Sequence, residues 1–320
     1  MVTPSTDVWV PEDLLAPLGV IAATQTYPAK PVTAQVAARA DRVIEIEPAR
    51  LYELLTPPLC SKVPHLVLQW LRDTNLLVKI LPELDATVAF SQEADRKHKD
   101  VWEHTKAVVW QAVPRPTVRW AAVLHDIGKV PTRRFGKDGK VTFHGHAEEG
   151  VRMFRRGPKK RIGFPKDIVD TIEELIRHHL RAGQYDGTWT DTAVRRFHRE
   201  MEPWLRDLLD LSRADVTSKR PGKRMRCLRG ISELAKRMRE LEAADAVVKP
   251  LPPGLGNELM TALALPPGKH IGELRARLEA LYEAREIEGG QPASYYVEIV
   301  RTRGLLDGIA IAPPRGFPSA

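Results

Sequence analysis

A chain of 320 residues with 43% hydrophobic and 6% aromatic content is long enough for a sizeable core and one or two domains. Only Cys60 and Cys227 are present, which excludes a disulfide framework and a cysteine-built zinc site. The formal charge of +8, with a pI near 9.5, favours an anionic partner, nucleic acid first.

The opening "MVTPSTDVWVPEDLLAPLGVIAATQ" has no basic stretch leading into a long apolar run. We expect neither a secretory signal nor a membrane span, and a cytoplasmic location. Residues 1–34 carry Pro, Thr and Ala with little periodicity and predict an irregular arm. From residue 35 the pattern turns helical, giving a neck over 35–90. Leu51, Leu54 and Leu55 fall at helical spacing, and Pro64 marks a helix start. Residues 91–235 form a string of helices that includes "KDVWEHTKAVVWQA", "PTVRWAAVLHDIG", "PKDIVDTIEELIRHHLR" and "PWLRDLLDLSRADV". The Lys-Asp-Gly turn in "RRFGKDGKVTFHGH" allows a brief hairpin. "GISELAKRMRELEAADAVV" reads as a long amphipathic helix. A C-terminal helical body spans 236–320, its last thirty residues a partly ordered tail. No βαβ alternation and no internal repeat appear, so the expected fold is all-α: a helical bundle flanked by neck and body.

Seven of the ten histidines fall between residues 98 and 179. His104 shares a helical face with Val101 and Val108, and His179 with Ile172, Leu175 and Ile176. Asp215 follows Leu205, Leu208 and Leu211 on another apolar face. His125 and Asp126 end the apolar run "WAAVLHDIGK". Burying an unpaired carboxylate costs several kcal/mol, or shifts its pKa until it is neutral. One histidine in a core is usually hydrogen-bonded there, and one aspartate is usually a cap or ion-pair partner. His65, His198 and His270 are read in that ordinary way, and His98 as at most a lid or substrate contact. For His104, His125, Asp126 and Asp215 together, a shared divalent cation is the economical remedy. Asp126 has two carboxylate oxygens and could bridge a second ion.

The order H…HD…D resembles the HD superfamily of metal-dependent phosphohydrolases. That resemblance implies an HD-domain helical bundle whose first ion is held by His104, His125, Asp126 and Asp215. "HKDVWEHTKAVV", "RWAAVLHDIGKVPTRRF", "VTFHGHAEEGVRMF", "YDGTWTDTAVRRF" and "SRADVTSKR" resemble the C-terminal half of bacterial CCA-adding tRNA nucleotidyltransferases and poly(A) polymerases. The likeness runs over roughly residues 38–285. Those enzymes begin with a nucleotidyltransferase head, for which the residues before the helical region are too few. Glu45 and Glu47 of "RVIEIE" have the spacing of its paired carboxylates, but no Gly-rich loop precedes them. CCA addition is therefore not expected. With His146 and the pair in "RHHLR", the order becomes H…HD…H…HH…D. This resembles two-metal HD phosphodiesterases that cleave cyclic nucleotides, and it implies that His146, His178 and His179 hold a second ion bridged by Asp126.

A divalent ion lowers the pKa of its bound water toward neutrality. The resemblance thus implies hydrolysis by hydroxide formed on one or two ions, of Mn, Fe, Co, Ni or Zn. Asp126 would orient the water. Lys129 would contact a non-bridging phosphate oxygen, or be an ordinary helix-end lysine. Arg133, Arg134 and His144 are further phosphate-binding candidates. "SKRPGKRMRCLRG" carries Lys219, Arg220, Lys223, Arg224, Arg226 and Arg229, an RNA patch or a solvated helix face. The expected activity is a phosphodiesterase on nucleotides or RNA ends, with 2′,3′-cyclic phosphates favoured. That substrate rests on the resemblance, and nucleotide or RNA, tRNA included, is the expected partner. The alternatives are a nucleotidase or dNTP triphosphohydrolase, and a non-catalytic tRNA-binding module with a structural metal.

Overall fold

The computed structural model describes residues 9–93, 100–135, 141–218, 220–246 and 250–311. It divides into two compact units, residues 1–239 and 240–320. Both are helical.

The first unit starts with a short turn at Pro11–Leu14, then α1 (Ala16–Thr24) and α2 (Lys30–Ala37). The irregular arm expected over residues 1–34 is therefore corrected for the described residues. Pro17 and Pro31 sit in first helical turns, where the missing N–H costs nothing and the fixed φ suits the helix. Leu14, Leu15, Leu18 and Ile21 are all buried, and α1 packs on α3 (Pro48–Leu59) and α4 (Pro64–Asp73). Glu45 ends a short turn where it pairs with Arg42, and Glu47 is the residue before α3. α5 (Leu76–Ile80) and α6 (Pro82–Glu93) complete this part.

Next come α7 (Val101–Gln111), α8 (Pro116–Leu124), α9 (Lys129–Thr132), α10 (His146–Arg156), α11 (Pro158–Arg161) and α12 (Lys166–His178). α13 (Asp191–Met201), α14 (Leu205–Asp215) and α15 (Pro221–Ala246) follow. Between α9 and α10, β1 (Arg134–Phe135) pairs antiparallel with β2 (Val141–Thr142), a brief hairpin whose turn lies outside the described residues.

The centre of the unit is α8. Every residue from Val118 to Leu124 is buried, the pattern of a helix surrounded on all sides. It packs against α3, α7, α12 and α14. Its polar members have partners. Trp120 donates its indole N–H to Thr56 Oγ1 at 2.9 Å. The Arg119 guanidinium donates to the carbonyls of Val109, Val113 and Ser61. Arg115, just before α8, pairs with Asp207 and Asp210 of α14. These bonds set where the C-terminal ends of α8 and α14 fall.

The second unit contains α16 (Leu255–Ala262), α17 (Lys269–Glu283) and α18 (Ala293–Thr302). Leu255, Leu259, Leu274, Leu278, Tyr296 and Val300 form its core. Tyr296 Oη donates to the Pro250 carbonyl at 2.7 Å and accepts the Gln291 N–H at 3.1 Å. The tail expected in the last thirty residues is thus corrected: α18 is a packed helix with Tyr296, Val297 and Val300 buried. Among the described residues, no helix is long and apolar enough to cross a membrane.

Candidate metal centre

Five of the six converging side chains lie at helix ends. His125 is the residue after α8, with Asp126 next; His146 opens α10, His179 follows α12, and Asp215 closes α14. His104 lies one turn inside α7, whose start is capped by Asp100 accepting the Glu103 N–H at 3.0 Å. Carbonyls in the last turn of a helix lack intrahelical donors. His125 Nδ1 bonds to the Ala122 carbonyl at 2.8 Å, and His179 Nδ1 to the Ile176 carbonyl at 2.7 Å. His146 Nδ1 bonds to the Phe143 carbonyl at 2.8 Å. A carbonyl only accepts, so each Nδ1 carries the proton and each Nε2 presents a lone pair. His104 Nδ1 lies 2.8 Å from Thr217 Oγ1.

The Nε2 atoms gather on the two sides of Asp126. On one side, His104 Nε2 and His125 Nε2 are 3.4 Å apart. Asp126 Oδ2 lies 3.4 and 3.2 Å from them. Asp215 Oδ1 adds contacts of 3.0 Å to His104 and 3.7 Å to His125. On the other side, His146 Nε2 and His179 Nε2 are 3.2 Å apart, with Asp126 Oδ1 at 3.6 and 3.9 Å. Asp126 Oδ1 is buried and makes no hydrogen bond.

Histidine nitrogens and carboxylate oxygens bind such ions at about 2.0–2.2 Å, so four tetrahedral donors stand roughly 3.3–3.6 Å apart. The separations here fall near that value. Converged lone pairs and an orphaned carboxylate oxygen are unfavourable in a dry interior unless a cation lies among them. The donor set therefore fits divalent ions of the transition series.

The charge states also suit ligation. Burial opposes ionisation of Asp126, but His125, Lys129 and His104 outweigh it and hold the carboxyl well below its usual range. Burial likewise opposes the Asp215 charge, and the hydrogen bond and charge of His104 with the charge of His125 bring its pKa to about 2. Burial, then the neighbouring His125, takes His179 down to about 4, and burial lowers His146. At neutral pH both carboxylates are ionised and these two imidazoles neutral, as ligands must be. His125 differs: burial disfavours its charge, but Asp126 and Asp215 prevail and raise its pKa, so an ion binding there would have to displace a proton from Nε2.

Two glycines allow the close approach. A Cβ on Gly128 would lie 2.1 Å from the His146 carbonyl oxygen and 2.6 Å from the Gly150 nitrogen. Gly145 adopts φ +74° just before His146, a conformation that favours glycine.

Other expected residues stand elsewhere. His178 is a correction: its Nε2 pairs with Glu174 Oε2 at 3.2 Å, not with the cluster. His178 is half-buried beside Glu174, one turn back on α12, whereas the next residue, His179, is buried with its Nε2 facing His146. His144 is exposed in the turn before α10. The Arg133 guanidinium lies 4.3 Å from the Phe90 ring centre and 4.9 Å from that of Phe135, and Arg134 is exposed on β1. Neither arginine is in the cluster. Lys129 Nζ does reach it, 2.5 Å from Asp126 Oδ2. His98 and Lys219 lie outside the described residues. Arg220, Lys223 and Arg224 are exposed at the start of α15, and Arg224 bonds Gln111 Oε1 at 2.7 Å.

Supporting residues that pattern did not single out are Thr217, Ser212 and Gln111. Ser212 Oγ donates to the His179 carbonyl at 3.2 Å, and Gln111 Nε2 to the Ala214 carbonyl at 2.9 Å. Thr217 follows Asp215 by two within "SRADVTSKR", a signal present in the motif. Two cavities open at the cluster. One of about 230 Å3 is lined by Val101, His104, Lys129 and Asp215. The other, about 280 Å3, runs from His179 and Asp215 to Lys223 and Cys227.

Residues 96–220 match the HD domain family, and the converging histidines and aspartates lie within that span. This chain carries an HD domain. Its similarity extends to tRNA nucleotidyltransferases. It is 34% identical over 248 residues to the CC-adding tRNA nucleotidyltransferase of Thermus thermophilus, covering 74% of this chain and 53% of the relative. With the A-adding tRNA nucleotidyltransferase of Deinococcus radiodurans it shares 33% over 228 residues, 68% of this chain and 50% of the relative. The multifunctional CCA protein of Ralstonia nicotianae is 32% identical over 166 residues, 51% of this chain and 38% of the relative. The chain spans about half the length, or less, of these curated relatives.

Proposed function

We propose that this chain is a metal-dependent phosphodiesterase acting on RNA ends or nucleotides, with 2′,3′-cyclic phosphates as the favoured substrates. The observation that carries this reading is Asp126, whose two oxygens face two separate groups of histidine nitrogens. A structural ion needs one closed set of ligands. Two sets sharing a carboxylate beside an open cavity match the two-ion sites of phosphoester hydrolysis. Two of the relatives are named as tRNA nucleotidyltransferases, which supports RNA as the substrate class.

His104, His125, Asp126 and Asp215 would hold the first ion, and Asp126, His146 and His179 the second. Bound there, divalent ions supply a water of lowered pKa and offset phosphate charge. The chain's own groups do the rest. Asp126, ionised and fixed at the end of α8, orients the water by accepting its proton as a hydrogen bond. Lys129 lines the cavity beside His104 and Asp215 and binds a non-bridging phosphate oxygen. The buried faces of α8 and α12 exclude bulk water from the far side. In the net reaction the water oxygen bonds to phosphorus, the P–O bond to one ribose oxygen breaks, and that oxygen leaves as a hydroxyl.

The test is a substrate screen of the purified chain with added Mn, Fe, Co, Ni or Zn. Adenosine 2′,3′-cyclic phosphate, adenosine 3′,5′-cyclic phosphate, a 2′-nucleotide and dNTPs are offered in parallel. Hydrolysis of the 2′,3′-cyclic diester is expected. Release of triphosphate alone would make the chain a dNTP triphosphohydrolase. No hydrolysis with any metal would leave a binding module.

A further inference from the structure

The cavity of about 280 Å3 beside the centre has a chemically uneven lining. At its inner end stand His179 and Asp215. Thr217, Ser218 and Gln184 also line it. At its outer end is Lys223, on the first turn of α15. Lys223 has no acidic partner among the described residues, and Asp215 is the sole carboxylate lining the cavity. An exposed ammonium without an ion pair, at the mouth of a cleft that begins at a candidate phosphoryl-transfer site, offers an anion a partner.

Size limits the occupant. Small-ligand sites usually run from about 300 to 1,000 Å3, so this cleft takes one nucleoside and little more. A longer strand must leave past Lys223. There it meets Arg220, just before α15, and Arg226 and Arg229 on its first turns, all exposed. A phosphate diester at the inner end, a ribose beside Thr217 and Ser218 and a phosphate at the cationic outer end follow the order of groups in a 3′-terminal ribonucleotide.

We propose that Lys223 binds the phosphate on the 5′ side of the terminal nucleotide, and so makes the enzyme prefer an RNA chain end over a free cyclic mononucleotide. This rests on the phosphodiesterase reading above and adds to it the substrate's size class. Lys223 acts as a specificity residue through charge at a distance from the reacting phosphorus.

The experiment compares the metal-loaded protein with its Lys223→Gln and Lys223→Arg variants. The substrates are adenosine 2′,3′-cyclic phosphate, a short oligoribonucleotide ending in 2′,3′-cyclic phosphate, and bis(p-nitrophenyl) phosphate. The unmodified protein is expected to have the lower KM for the oligonucleotide. Lys223→Gln should cut the oligonucleotide-to-mononucleotide ratio of kcat/KM by about tenfold, the weight of one lost charge-assisted contact. The slope of log KM against log salt for the oligonucleotide should fall by about 0.7, the counterion share of one single-strand phosphate contact. Lys223→Arg should restore both. An unchanged ratio in Lys223→Gln, with the oligonucleotide still cleaved, would overturn the assignment and leave the phosphodiesterase reading standing. If the unmodified protein cleaves bis(p-nitrophenyl) phosphate but neither nucleotide, the recognition role of Lys223 falls while diester chemistry survives. Failure on all three substrates would remove both.

Discussion

His146 Nε2 and His179 Nε2 face one another at 3.2 Å, and each ring has already committed its Nδ1 proton to a backbone carbonyl. Neither nitrogen can donate to the other while both rings are neutral. The pair is arranged for something that accepts two lone pairs, and Asp126 Oδ1 stands beside it without a hydrogen bond.

The adjacent histidines of "RHHLR" should therefore behave oppositely. His179→Ala is expected to lose one bound ion and all hydrolysis. His178→Ala should keep both ions and cost about 0.5 kcal/mol, the value of a helical i, i+4 pair such as this partly buried one with Glu174. Metal content and denaturant melts of the two variants measure this. Equal metal loss in both would contradict the placement.

Lys129 touches the centre through Asp126 Oδ2 and lines a cavity with His104 and Asp215. Lys129→Met should retain metal and lower kcat by about 10²-fold, as for loss of one donor to a developing oxyanion. A change in KM alone would make Lys129 a binding group only.

Gly128 is a steric requirement. A methyl group there meets the His146 carbonyl oxygen and the Gly150 nitrogen, both backbone atoms that cannot swing aside. Gly128→Ala should destabilise the protein by about 1–3 kcal/mol, the usual cost of overpacking. It should also displace the start of α10, so the ion held by His146 and His179 is lost at a lower chelator concentration than the first. Calorimetry with a chelator titration reads both effects, and a variant of unchanged stability would disprove the close contact.

Glu173 ties α12 to α10 and α11: Arg155 Nε donates to its Oε2 at 2.7 Å, and Lys159 Nζ to Oε1 at 3.4 Å. Burial raises its pKa, but Arg155 and Lys159 outweigh burial and the net shift is downward. A carboxyl with a depressed folded-state pKa stabilises the fold above its unfolded value, about 4.3. That contribution disappears as pH falls through the folded value. Glu173→Gln should thus cost about 1–3 kcal/mol at pH 7, and the deficit should shrink below about pH 4. Urea unfolding of the chelated protein across that range checks the sign. A deficit independent of pH would show that packing, not charge, carries the role.

Much of this centre is legible in the sequence because buried charge is costly. His104, Asp215 and His179 stand on apolar helical faces, and His125 and Asp126 end an apolar run. Periodicity alone therefore points all five inward. The structure brings these five together with His146, Asp215 through His104 and His125. What pattern could not resolve was local rotation and distant contact. His178 and His179 are neighbours whose faces depend on where α12 ends, and helix ends are the least regular part of a pattern. The closeness of Gly128 to His146 is tertiary and leaves no periodic trace. Residues 1–34 read as irregular because Pro17 and Pro31 look like breakers. In the fold they begin helices instead, and Leu18 and Ile21 reveal a buried face only once α3 and α4 are present to cover it.

The central claim is that Asp126 joins two ions in one centre. Native mass spectrometry of the manganese- or nickel-loaded chain tests it most directly, alongside His179→Ala and Asp126→Ala. The account predicts two ions in the unmodified chain, one in His179→Ala, and none retained tightly in Asp126→Ala. A metal-free spectrum for the unmodified chain after loading, with the fold unchanged in chelator, would contradict it.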